Sequence, residues 1–160
     1  YQLGDTIMFT STDPYKIRIT GRTKHFINVF GEEIMVSNTD KAIMLACQES
    51  GTTVADYMVA PVFIEGDEGK GGHEWAIEFV QNPPDLEVFA KRLDLHLQSV
   101  NSDYEAKRYK DMALLQIKVN AVPSGTFQKW MRQRGKVGGQ NKVPRLSNER
   151  KYLEQILTMT

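Results

Sequence analysis

Paired sulfur, net charge and long apolar runs are all missing from this 160-residue chain. Cys47 is the single cysteine, which excludes an intramolecular disulfide and a cysteine metal cluster and suits a reducing cytosol. Lys and Arg number 20, as do Asp and Glu, so the whole molecule exerts no strong attraction on nucleic acid or an anionic membrane. No apolar run approaches the ~20 residues of a membrane span, and no signal peptide is visible. None of the three histidines has a second His or Cys at ligand spacing, so no protein metal site is expected. What is present, 41% apolar residues, suffices for one globular domain that buries roughly two-thirds of its unfolded surface.

The zero charge conceals an asymmetry. Residues 1–100 carry 8 Lys/Arg against 15 Asp/Glu, and residues 101–160 carry 12 against 5. A basic C-terminal third suits either a phosphate or the chain's own acidic half.

Periodicity predicts an α+β fold, a mostly antiparallel sheet with packed helices. Strands are expected from Leu3 to Thr10 and over Tyr15–Ile19, joined by the Asp13-Pro14 turn, with a small hairpin around Gly31. A helix start at Ser37 and Asp40 leads an apolar stripe of Ala42, Ile43, Ala46 and Cys47, ending near Gly51. Val54–Ile64 reads as a strand in which Pro61 demands an edge, a bulge or a break. His73, Trp75, Ile77 and Phe79 alternate with Glu74, Ala76 and Glu78, as in a strand with one buried face. Leu86, Phe89, Leu93, Leu97 and Val100 recur at helical spacing after Pro83-Pro84. A charged helix over Asn101–Lys110, a strand at Leu115–Ala121 and a short helix around Phe127 and Trp130 complete the expected order.

Two clusters carry chemistry. Near the start, Gly4-Asp5, Gly21-Arg22-Thr23-Lys24 and Gly31-Glu32-Glu33 place a carboxylate and a guanidinium among turn glycines. Asp5 can accept from two ribose hydroxyls, and Arg22 can hold the same sugar or a phosphate with its planar fork. Near the end, Gly135-Lys-Val-Gly-Gly-Gln-Asn-Lys-Val-Pro-Arg145 is a glycine-rich loop carrying Lys136, Lys142 and Arg145. By itself it reads as a solvated basic linker; paired with the Asp5/Arg22 cluster, it reads as a phosphate contact. His73 reads as a core histidine, and Glu74 and Glu78 as solvated carboxylates. Trp130 reads as a helix anchor. Tyr104 and Tyr109 among Lys107, Arg108 and Lys110 fit an amphipathic helix as well as they fit a nucleic-acid surface.

In order and spacing the N-terminal cluster resembles the crossover between the large and small domains of the acyl-adenylate-forming enzymes. Tyr1-Gln-Leu-Gly-Asp5, Gly71-Gly-His-Glu-Trp75, Asn101-Ser-Asp-Tyr104 with Arg108, and Asn141-Lys-Val-Pro-Arg145 narrow this. Together they resemble the auxin-conjugating acyl-acid amido synthetases, the Gretchen Hagen family, in their bacterial form. That resemblance implies an enzyme using ATP and Mg²⁺ to join a small carboxylic acid to AMP and then pass the acyl group to an amine acceptor. It implies that residues 1–24 are the end of a large domain and its hinge, and that residues 25–160 are a C-terminal mobile domain. The main partner would be the large N-terminal adenylation domain of the same chain, without which this piece is expected to be inactive. Asp5 matches the ribose-binding aspartate, Arg22 the basic position after the next strand, Lys24 the hinge, and Lys142 the lysine that touches phosphate during adenylation. Glu33 stands where the plant enzymes have a lysine near the nucleotide, so the resemblance does not by itself imply the plant acceptor chemistry or an amino acid as the acceptor. A cytoplasmic location, no nucleic acid and no membrane complete the expectation. The alternatives are an acyl-CoA ligase or acyltransferase on the same scaffold, and a non-catalytic binding module with a basic C-terminal surface.

Overall fold

The computed structural model describes residues 5–22, 26–64, 70–111, 113–136, 138 and 141–159. Its α+β architecture is as expected. The centre is a three-stranded sheet of β5 (Thr53–Phe63), β6 (Gly71–Gln81) and β7 (Lys118–Val122), in the order β5-β6-β7. β5 and β6 are antiparallel and β7 runs parallel to β6, so the sheet is mixed.

Alternation along these strands feeds two separate cores. Tyr57, Val59, Trp75, Ile77 and Phe79 face α1 (Val36–Ser50) and α2 (Leu86–Val100), where they meet Ala42, Ala46, Phe89, Leu93 and Leu97. Met58, Ala60 and Ala76 face the other way, onto α4 (Thr126–Gln133) and α5 (Lys151–Leu157), against Phe127, Trp130, Leu153 and Ile156. Helix α5 has no counterpart in the periodicity reading. Its presence changes β6 from a half-buried strand into one buried on both faces over Gly71–Phe79.

That second layer corrects the reading of Glu74 and Glu78 as solvated. Both are buried, and each is paired. Glu74 accepts from Arg150 Nη2 at 2.6 Å, Lys118 Nζ at 2.8 Å and Asn120 Nδ2 at 3.0 Å. Glu78 accepts from the backbone N–H groups of Gly125 (2.6 Å) and Phe127 (3.2 Å). These are orphan donors at the start of α4, so the carboxylate supplies the cap that the local sequence lacks.

The helices on the first face are capped locally. Asp85 accepts from Val88 N–H at 3.0 Å, and Asn101 accepts from Tyr104 N–H at 2.8 Å to open α3 (Ser102–Arg108). Helix α1 begins at Val36, one residue before the predicted Ser37, because Asn38 Oδ1 accepts the Met35 N–H at 2.9 Å. It ends on Gly51, whose φ of 61° completes the left-handed cap.

Two smaller ladders precede the main sheet. β3 (Phe26–Ile27) pairs with β4 (Ile34–Met35) and buries Ile27 and Ile34 in the first core. β1 (Asp5–Thr12) and β2 (Tyr15–Arg22) form an antiparallel ribbon with Phe9 opposite Ile17 and Ile7 opposite Ile19. Ile7, Phe9, Tyr15, Ile17 and Ile19 are each half exposed or more. A two-stranded ribbon of this kind is marginally stable without a surface to cover it.

Pro61 sits where its missing donor costs nothing. On the outer side of β5, Val59 donates to Arg145 C=O at 2.8 Å and accepts from Ser147 N–H at 3.1 Å. Two residues on, Pro61 turns the same way, at an edge with no ladder partner to disappoint. Gly71 is constrained by its surroundings, since a Cβ there would overlap the Phe30 ring and the Val62 carbonyl oxygen. The carbonyl belongs to the paired strand and cannot yield. Gly71→Ala is therefore expected to destabilise the protein by about 1–3 kcal/mol, and its melting temperature, followed by circular dichroism, should fall by several degrees. An unchanged melting temperature would show that the close approach is not a constraint.

Candidate functional site

The predicted site residues fall on two segments. Asp5 and Arg22 are partners in the β1–β2 register, so the ladder sets the two positions opposite one another. Lys24 lies outside the described residues. Lys142 is exposed on an irregular segment that runs from residue 141 to α5, and it makes no ion pair among the described residues.

That segment is pinned at several points downstream of Lys142, and Arg145 is the first. Its Nη1 donates to Asp40 Oδ1 at 2.5 Å, and its guanidinium lies 5.0 Å from the centre of the Tyr57 ring. Tyr57 Oη donates to the same Asp40 oxygen at 2.6 Å and stands 2.7 Å from the Thr39 hydroxyl. Arg145 therefore ties α1 and β5 together while forming part of a groove of about 450 Å³, with Ile43, Met44, Cys47 and Val54 in its lining.

Electrostatics in this cluster follow from burial. Desolvation and the neighbouring Asp40 carboxylate push the Tyr57 hydroxyl far above the usual tyrosine range, so it stays protonated, gives its proton to Asp40 and is left to accept at Thr39. Burial raises the Asp56 carboxyl, a rise that the Tyr57 N–H and Arg145 only partly offset. Burial works against the Arg145 charge, but Tyr57, Asp40 and Asp56 together hold the guanidinium still more firmly protonated.

The remaining anchors are Leu146, buried in the first core, and Asn148 and Arg150. Asn148 Nδ2 donates to Phe26 C=O at 2.9 Å, and its Oδ1 accepts from Asn28 N–H at 3.1 Å. Arg150 donates to Pro61 C=O at 3.0 Å as well as to Glu74. The structure thus sets Arg145, the end of the Asn-Lys-Val-Pro-Arg motif, against α1 and the β5 edge, and Asn148, three residues on, against β3. Sequence reasoning missed Asn148, Arg150 and the Tyr57–Asp40 pair, because each partner is remote in the chain and none repeats a local pattern.

His73 is buried, as expected of a core histidine. Its Nε2 lies 2.9 Å from Glu32 Oε1, its ring stacks on Tyr104 at 5.6 Å, and Glu32 Oε2 accepts the Phe30 N–H at 2.6 Å. Burial alone would raise Glu32, yet the His73 bond and charge, with the backbone donors, hold it below the usual carboxylate range. This pair locks the 28–33 turn onto β6. A second buried network joins Asp94 to Tyr104 Oη (2.5 Å) and to Arg108 (2.9 Å). Among the described residues, no group of three or more His, Cys, Asp or Glu could hold a metal ion, and no helix is long and apolar enough to cross a membrane.

A profile of the GH3 family C-terminal domain matches residues 37–151, and the chain belongs to that family. Among solved structures it is similar to a GH3.15 acyl acid amido synthetase, with a TM-score of 0.74 and 17% identity. The match covers 98% of this chain and 30% of that one. A second structure, AtGH3.15 acyl acid amido synthetase in complex with 2,4-DB, matches with a TM-score of 0.73, 16% identity, and 98% and 29% coverage. At such identities the likeness is one of fold. No curated protein matches the chain.

Linkage gives this site's pH dependence a sign. Glu32 and Glu74 both lie below the ordinary glutamate value in the fold; burial opposes this, and their hydrogen-bonded partners outweigh it. Their ionised forms stabilise the fold above the unfolded pKa of ~4.3, and that contribution is lost as pH falls through the lower folded values. Glu32→Gln is expected to flatten the acid limb of stability measured by urea denaturation between about pH 3 and 6. An unchanged slope would remove Glu32 from the account.

Proposed function

We propose that this chain is the C-terminal domain of an ATP-dependent acyl-adenylating enzyme that passes an activated carboxylic acid to an amine. The observation that carries the reading is the family match over residues 37–151, joined to a fold shared with an acyl acid amido synthetase. The chain spans about 30% of that synthetase. We assign the phosphate-binding loop, the acid pocket and most contacts to ATP and Mg²⁺ to a large N-terminal domain of the same polypeptide.

In this reading residues 1–24 close the large domain and residues 25–160 move against it. The β1–β2 ribbon supports that boundary, because Ile7, Phe9, Tyr15, Ile17 and Ile19 leave an apolar face exposed that suits cover by another surface. Asp5 and Arg22 hold the ribose edge of the nucleotide, and Lys24 is the hinge. The work is cytosolic, as the lone Cys47 permits.

The donor set fits this chemistry. Lys142 is an exposed ammonium without a carboxylate partner among the described residues, on a segment whose root is fixed three residues later. During adenylation, negative charge develops on the α-phosphate and the departing pyrophosphate. An ammonium placed only then stabilises the transition state selectively. Rotation of the domain afterwards withdraws it and frees the cleft for the amine.

Two outcomes test this. Lys142→Ala in the full-length protein is expected to slow acyl-adenylate formation, read as pyrophosphate release, by about 10²–10³-fold. Transfer from a supplied acyl-adenylate should continue nearly unchanged, and Lys136→Ala should do much less. Identical behaviour of the two variants would reduce the segment to a basic linker. Residues 1–160 alone should bind ATP·Mg²⁺ no more tightly than about millimolar by calorimetry, near −4 kcal/mol. Micromolar binding would favour an independent module.

A further inference from the structure

The two backbone anchors of Asn148 are the C=O of Phe26 and the N–H of Asn28. These groups belong to residues i and i+2 and point to the same side of β3, so they are the pair that an added strand would use. The side-chain amide of Asn148 supplies one donor and one acceptor and meets both, standing in for a peptide group. Its own backbone continues a segment fixed to Val59 by Arg145 and Ser147, and to Asp40 by the Arg145 guanidinium. Lys142 is three residues upstream of Arg145, so its Cα stays within about 11 Å of that anchor. A single small side chain therefore closes the connection between the strand entering the domain and the segment that carries Lys142.

From this we infer that Asn148 is a positioning residue: it couples the Lys142 segment to the strand following the hinge, so that both turn as one body. The inference rests on the reading of Lys142 as the phosphate contact. Arg145 and the Val59 ladder fix the segment to the sheet. Asn148 hydrogen-bonds both backbone groups at β3, and so it registers the segment carrying Lys142 against the entry point of the chain. Loosening that registry lets the strand entering the domain shift against the segment that carries Lys142 without unfolding the domain, because Asn148 is exposed and fills no core.

The experiment is a double-mutant cycle in the full-length protein. Asn148→Ala is expected to slow pyrophosphate release by about tenfold, since misplacing a reacting group by an ångström costs up to about 10²-fold. Transfer from supplied acyl-adenylate should hardly change. Asn148→Asp, which keeps the acceptor for Asn28 and loses the donor to Phe26, should fall between. In a Lys142→Ala background, Asn148→Ala should have no further effect, because its only route to the chemistry is then gone. Independent, multiplying effects, or equal loss of both half-reactions, would overturn the coupling while leaving the Lys142 reading intact. If Lys142→Ala itself leaves pyrophosphate release unaffected, the Lys142 reading fails and this inference falls with it.

Discussion

Burial of β6 on both faces governs the rest of the structure. A strand covered on one side may carry charge on the other; this one has no other side. An unpaired group in the interior costs about 1–3 kcal/mol; the buried carboxylates and His73 Nε2 find partners, whereas His73 Nδ1 and the Trp75 indole N–H have none among the described residues. His73 finds Glu32, Glu74 finds Arg150, Lys118 and Asn120, and Glu78 finds the start of α4. Each of these bonds also fixes a different outlying segment: the 28–33 turn, the approach to α5, and α4. The strand organises the molecule through its exceptions to hydrophobicity.

This also accounts for what could be read from the sequence. The stripes of α1 and α2, the β1–β2 ribbon and the edge status of Pro61 depend on spacing within one element, and spacing is local. Glu74 and Glu78 were misread because their fate depends on a layer formed some 50–80 residues later by Phe127, Trp130, Leu153 and Ile156. The start of β7 at Lys118, later than the apolar alternation from Leu115, reflects pairing with β6 rather than propensity. Candidate site residues followed the same division. Asp5, Arg22 and Lys142 were named from motif positions, whereas Arg145's clamp on Asp40 and Tyr57, and the contacts of Asn148, arise from a chain return that no periodicity encodes.

The charge asymmetry of the two halves finds part of its explanation in these contacts. Arg145 and Arg150 come from the basic third and neutralise Asp40 and Glu74 of the acidic part. These two of the twelve basic residues are therefore spent inside the fold. Lys142, three residues before Arg145, makes no such pair among the described residues.

The outer edge of β5 has a consequence for the molecule's behaviour among its own kind. Along an exposed sheet edge, the free N–H and C=O groups form a template on which identical chains can stack. Here residues 145–147 occupy that edge at Val59, and at Pro61 there is no N–H to offer. The Arg150 guanidinium takes up the Pro61 carbonyl. At these positions β5 gives a neighbouring copy no free pair of backbone groups on which to start a fibre.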